Sequence, residues 1–213
     1  MQYIIKFFKK HPELEPFFPF PHAVIAEKIM LKNYDLLNAK KASIDLSCQD
    51  SEEFLNIVES SLTKEFERKN EIEDKAKSSL FVITLSLTFI LSSLTFFYDK
   101  CSWIIPKTIV LTILSLGVIF LLLSGITSIK TLSIGGYNDL YIHGRLSGNY
   151  ENLKIVYRSK KEDINVLYEC IRLNEILTNI KANYMHVTLV GIKNGIIFIA
   201  LFFVLAVINY SLI

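Results

Sequence analysis

His11, His22, His143 and His186 are the chain's histidines, and Cys48, Cys101 and Cys170 its cysteines. These residue types ligate metals and activate nucleophiles, but their spacing here serves neither chemistry. No HExxH occurs, and no histidine follows an arginine at the spacing used by HEPN-type ribonucleases. The cysteines form no metal or redox motif. No GxSxG elbow is present. Gly135, Gly136, Gly144 and Gly148 cluster, yet no GxxxxGK[ST] accompanies them. Glu162 and Asp163 are ordinary helix-start acids. The sequence therefore predicts a protein that is not an enzyme, with no catalytic, cofactor-binding or metal-ligating residues.

What remains is the chemistry of hydroxyls and small residues inside apolar runs. Thr84, Thr88, Ser92 and Thr95 recur at helical spacing in one run, and Thr108, Thr112 and Ser115 in the next. Gly191 and Gly195 form a GxxxG in a third, around Lys193 and Asn194. Such residues let membrane helices approach closely, or supply a wettable face along a narrow aqueous path. The expectation is that the GxxxG and the hydroxyl faces join copies of the chain into a homo-oligomer. Lys193 would be costly facing lipid, and is expected to snorkel toward the near interface.

The runs themselves are the dominant feature. Of 213 residues, 51% are hydrophobic and 21% charged, with a mean hydropathy of +0.37. Both conditions are met because charge and grease are segregated. Ser78–Tyr98, Thr108–Ile129 and Asn194–Ile213 carry no charged residue. Each is close to the ~20 residues a helix needs to cross hydrocarbon. None lies where a cleavable signal peptide would. The expected fold is all-α, an integral membrane protein with three transmembrane helices.

Basic residues orient the spans. Lys64, Arg68, Lys69, Lys75 and Lys77 precede the first, and only Lys100 and Lys107 lie between the first two. Lys130, Arg145, Lys154, Arg158, Lys160, Lys161, Arg172 and Lys181 precede the third, and none follows it. Positive-inside bias puts the N-terminus and middle segment in the cytoplasm and the C-terminus outside, in a bacterial inner membrane. Tyr98, Trp103 and Tyr210 are placed as interfacial aromatics, and Pro106 at the first turn of the second span. Glu71, Glu73 and Asp74 are mixed with the basic residues and the net charge is +2, so no nucleic-acid partner is expected.

Two of the spans continue cytoplasmic helices. From Ser51 to Phe97 there is neither Gly nor Pro, and Phe54, Val58, Leu62, Phe66, Ile72, Ala76 and Leu80 form a helical stripe behind a capping box of Asp50 and Glu53. Ile164, Leu167, Ile171, Ile180, Tyr184 and Val187 form another before the third span. "RKNEI" (68–72) and "RLNEI" (172–176), each followed by a lysine at the same offset, stand just upstream of two spans. Either they mark equivalent levels of two helices, with Asn70 and Asn174 hydrogen-bonding across the pair, or they are ordinary juxtamembrane composition. Domain boundaries are expected at 1–50 (a cytoplasmic helical cap), 51–134 and 135–213. In the first, Pro21 opens a helix to about Lys40, and Phe17, Phe18 and Phe20 pack as a cap or dock a partner. In the last, the glycines turn the chain and a short helix runs from Tyr150 to Lys160.

"ERKNEIEDKAKSSL" running into a hydroxyl-rich span, and "NEILTNIKANYMHVTLVGIKNG" entering a final one, complete a layout over residues 51–213. It resembles the small membrane effectors of prokaryotic antiphage systems: the SLATT-like group, the membrane effectors of cyclic-oligonucleotide signalling and the membrane accessory proteins of some CRISPR loci. The resemblance implies an oligomeric inner-membrane protein that perturbs membrane integrity or potential when infection is sensed. A cyclic oligonucleotide is an implied ligand of that group, although no sensor domain is visible here. A scaffold recruiting a soluble partner through its cytoplasmic helices, and a channel subunit outside defence, are the alternatives. The orientation has a direct test. A reporter fused after Ile213 is expected to score as periplasmic, and one inserted near Gly148 as cytoplasmic; two cytoplasmic scores would refute the arrangement.

Overall fold

In the computed structural model, residues 11, 16, 18–39, 51–100, 106–135, 146–147, 154–155 and 160–211 are described. Four helices carry most of them: α1 (Phe20–Ala39), α2 (Ser51–Lys100), α3 (Lys107–Ser133) and α4 (Lys160–Ser211). Three of these are long and apolar enough to cross a membrane, the exception being α1. Cys48, Asp50, Cys101, Trp103 and His143 lie outside the described residues.

Each helix begins and persists for local reasons. α2 runs 50 residues, about 75 Å at the α-helical rise, because nothing in it breaks the hydrogen-bond ladder. Glu52 and Glu53 in its first turn complement the helix dipole. α3 starts one residue after Pro106, whose carbonyl accepts the Ile109 N–H at 2.9 Å. Lys130 in its last turn favours the carbonyl end. α4 runs 52 residues straight through Gly191 and Gly195.

The middle segment departs from expectation. In place of a helix from Tyr150, Leu146–Ser147 (β1) pairs antiparallel with Lys154–Ile155 (β2), Leu146 opposite Ile155. The rest of the expected helix, 150–153 and 156–159, lies outside the described residues.

Contacts divide the chain into two units, and the division cuts through the long helices, which are too long to belong to one body. One unit holds Met1–Val24, Glu73–Ser133 and Asn183–Ile213; the other holds Ile25–Ile72 and Ile134–Ala182. The first contains the charge-free windows. Its core is Ile83 and Ile90 of α2, Val110, Leu114 and Leu121 of α3, and Phe202 and Ala206 of α4. The second packs the polar ends of α2 and α4 through Val58, Leu62, Leu167 and Cys170, with Phe54, Phe66 and Ile171 around them. Phe18 stacks on Phe120 of α3 in the first unit, their ring centroids 5.5 Å apart with 29° between the planes, and Phe120 stacks on Phe198 of α4 at 5.6 Å and 8°.

Leu167 is 1% exposed at the centre of the second core. Leu167→Ala is expected to destabilise that unit by about 2–5 kcal/mol, the cost of a buried leucine and its cavity. The exposed Glu59→Ala should stay within about 0.5 kcal/mol. Thermal unfolding of the detergent-solubilised chain, followed by circular dichroism, measures both.

Candidate functional site

The first unit has two polar faces, one inside and one outside. The inner face is the seam between α3 and α4. A Cβ on Gly117 would lie 3.1 Å from Ile199 Cγ1 and 3.3 Å from the Gly195 carbonyl oxygen. One on Gly195 would meet Leu121 Cδ2 at 2.9 Å, and one on Gly191 would collide with Ser124 Oγ. The helices therefore touch backbone to backbone at these three positions. Toward one end of the seam the glycines give way to hydroxyls. Thr127 Oγ1 and Thr188 Oγ1 are 2.8 Å apart, and Ser128 Oγ approaches Thr188 Oγ1 at 3.5 Å. Ser124, Thr127, Ser128, Thr131 and Thr188 are all buried. Their remaining capacity is taken up within their own helices: Ser124 donates to the Phe120 carbonyl, Thr131 to Thr127 and Thr188 to Tyr184. The Lys130 ammonium stands 5.8 Å from the centroid of the Tyr184 ring. Every polar group discussed in this seam thus has a partner, which is what makes its burial tolerable.

The GxxxG of Gly191 and Gly195 was expected to join copies of the chain, and here the structure differs. Both glycines face α3 of the same chain. They do so because α3 offers a matching line of small residues, Gly117, Ser124, Thr127, Ser128 and Thr131, that sequence reading passed over. The signal was available as recurrence at three, four and seven residues, but it competed with Thr108, Thr112 and Ser115 on the same helix. Spacing alone does not say which of two such lines faces inward.

The outer face holds the residues that sequence reading chose. Thr84, Thr88, Ser92 and Thr95 on α2, and Thr112 and Ser115 on α3, are all exposed. Each hydroxyl donates back to its own helix: Thr84 to Leu80, Thr88 to Thr84, Ser92 to Thr88, Thr95 to Ser92, Thr112 to Thr108 and Ser115 to Leu111, at 2.7–3.0 Å. Their donors are satisfied without water, and each oxygen retains acceptor capacity. On α2 this face lies roughly a third to half a turn round from the Ile83–Ile90 line that enters the core. Lys193 is exposed too, because two residues from either seam glycine is about 200° round the helix.

The paired "RxNEI" motifs are not at one level. Arg68 Nη2 donates to Asn179 Oδ1 at 2.9 Å, so position 68 of α2 stands beside 179 of α4, two turns beyond Arg172. The surroundings differ as well: Asn70 is exposed and Asn174 buried, Lys77 exposed and Lys181 buried. Lys77 pairs with Asp74 at 2.9 Å in full solvent, a contact of little energetic weight. In the same unit as Arg68 and Asn179, Met30, Leu36 and Leu37 of α1 line a cleft of about 500 Å³ with Arg172, Ile176 and Asn179 of α4.

Among the described residues no group of three or more His, Cys, Asp or Glu is placed to hold a metal ion. No protein-family model, curated protein or solved structure matches the chain.

The two faces have separable behaviour. Gly191→Leu drives a side chain into Ser124 and is expected to destabilise the three-helix unit by at least the ~1–3 kcal/mol typical of overpacking. The exposed Thr88→Leu should leave unfolding within about 0.5 kcal/mol of the parent. Comparison of the two melting curves in one detergent checks the assignment of inside and outside.

Proposed function

We propose that this chain is a bacterial inner-membrane protein that assembles from several copies and permeabilises the membrane, as an effector of antiphage defence. The observation that carries the proposal is the outward hydroxyl face. Thr84, Thr88, Ser92 and Thr95 are exposed beside apolar Phe81, Leu85 and Phe89, on a helix long and apolar enough to span. Among the described residues they stand outside the packed core. Between copies they allow close helix contact, and around an aqueous path they supply acceptors that Phe89 and Leu91 lack. Lys193 adds weight. It lies nine residues, about 14 Å, along α4 from Tyr184, the ring that meets Lys130. A lysine facing hydrocarbon at such depth costs about 2.5–3.5 kcal/mol on insertion scales unless snorkelling, water or another subunit relieves it. The N-terminus and middle segment are cytoplasmic in this reading and the C-terminus is outside. The role in defence is what the resemblance of residues 51–213 implies.

The cleft between α1 and α4 favours a second reading, a scaffold whose cytoplasmic helices recruit a soluble defence partner. The cleft is lined by apolar Met30, Leu36, Leu37 and Ile176 together with polar Asn33, Arg172, Glu175 and Asn179, a mixture that suits a protein segment.

Depolarisation distinguishes the two. In cells carrying a voltage-sensitive dye, expression of the parent chain is expected to collapse the membrane potential before lysis. Thr88→Leu with Ser92→Leu should abolish the collapse while leaving membrane insertion intact, since both changes favour lipid. The scaffold reading requires these leucines to be silent and deletion of residues 1–40 to remove function. Unchanged depolarisation in the double variant would take the hydroxyl face out of the permeation path.

A further inference from the structure

Lys193 is the single Asp, Glu, Lys or Arg between Lys181 and Ile213, and it is exposed. Its exposed neighbours on α4 are apolar Leu189, Ile196 and Ile197. Among the described residues it has no hydrogen-bond or ion-pair partner. Its depth is set by the helices packed beside it. A Cβ on Gly191 would collide with Ser124 Oγ, and one on Gly195 would meet Leu121 Cδ2 at 2.9 Å, so Lys193 stands level with residues 121–124 of α3. These lie six to nine residues before Lys130, about 9–14 Å along the helix. The α2 side agrees. A Cβ on Gly125 would lie 4.0 Å from Ile83 Cγ2. Ile83 is six residues past Lys77, again about 9 Å. On both neighbours the level of Lys193 therefore falls inside a charge-free window, 78–98 on α2 and 108–129 on α3. Its four-carbon stem covers only part of the distance to the flanking charges.

At the same level α2 presents acceptors. Thr84 is one residue past Ile83, and Thr88 one turn further. Both are exposed, and each hydroxyl donates to its own helix while its oxygen keeps a lone pair. Phe89 meets Phe203 of α4 with ring centroids 5.6 Å apart. It lies roughly 100–140° round α2 from these threonines, so they face away from α4 of their own chain. Copies inserted under one charge bias share one orientation, and two copies then meet at matching depth. A donor and acceptors on different helices at one depth make a head-to-tail contact, which closes into a ring about the membrane normal.

We infer that the Lys193 face of α4 docks on the Thr84–Thr88 face of α2 in the next copy, the ammonium donating to the two hydroxyl oxygens. Each copy carries one face of each kind, so every lysine of a closed ring is withdrawn from hydrocarbon. The inference deepens the proposed assembly and rests on it.

Cysteine cross-linking in the membranes of expressing cells tests this contact with its residues left in place. Cys48→Ser, Cys101→Ser and Cys170→Ala clear the background. Phe81→Cys is placed on one tagged copy and Leu189→Cys on a second, differently tagged one. Both positions are exposed, about one turn before Thr84 and Lys193 respectively. Co-expressed, the two copies are expected to form the mixed cross-link in preference to either same-site dimer. Lys193→Met in both copies should lower the mixed product at least about threefold, the weight of one interhelical hydrogen bond in a membrane. Thr84→Val with Thr88→Val removes the acceptors instead and should lower it likewise, while Lys193→Arg retains it. Absence of the mixed product, or a mixed product unchanged by Lys193→Met, overturns the contact. Native mass spectrometry of the parent chain then separates the two claims: an oligomer leaves the proposed assembly standing, and a monomer at every concentration removes both.

Discussion

The close approach of α3 and α4 is the contact on which the rest of the first unit depends. At Gly117, Gly191 and Gly195 there is no room for a β-carbon without displacing a neighbour. In a lipid environment such packing has to come from shape and hydrogen bonding, because burying a leucine against another helix gains little over burying it in acyl chains. Two antiparallel helices that meet backbone to backbone have one good register. Once it is set, Thr127 meets Thr188, Phe120 lies on Phe198, and Lys130 stands over Tyr184. None of these pairs could be moved one turn without driving a larger side chain into the glycine contact.

The same constraint decides what is left outside. α3 has two lines of small and hydroxyl residues, and the seam covers the one with the glycine. Gly191 and Gly195 face α3 of the same chain, and the exposed hydroxyls of α2 and α3 lie on another surface. In the proposed assembly the outward threonines, individually satisfied by their own carbonyls, therefore take the place of the GxxxG.

The second unit obeys different physics. If that unit lies in water, as the proposed arrangement has it, the Val58–Leu62–Leu167–Cys170 cluster holds the polar halves of α2 and α4 by the hydrophobic effect. The Arg68–Asn179 hydrogen bond joins the same two helices. Both α2 and α4 contribute to each unit without a break in either helix.

Much of this was legible in the residues themselves. The uninterrupted run from Ser51, the charge-free windows and the apolar stripes determine the three helices long enough to span, because helix persistence and hydropathy are local properties. The stripe from Val58 to Ala76 likewise names its own buried face. Other features were not legible, for a common physical reason. Whether Gly191 faces its own chain or another copy, whether Thr127 or Thr112 turns inward, and whether "RKNEI" and "RLNEI" stand level all depend on which helix lies opposite and in what register. Periodicity fixes a side chain's angle about its own axis but carries no information about the neighbour. Only the tertiary structure supplied that, by bringing Gly117 to Gly195, and with it the stacking of Phe18 on Phe120.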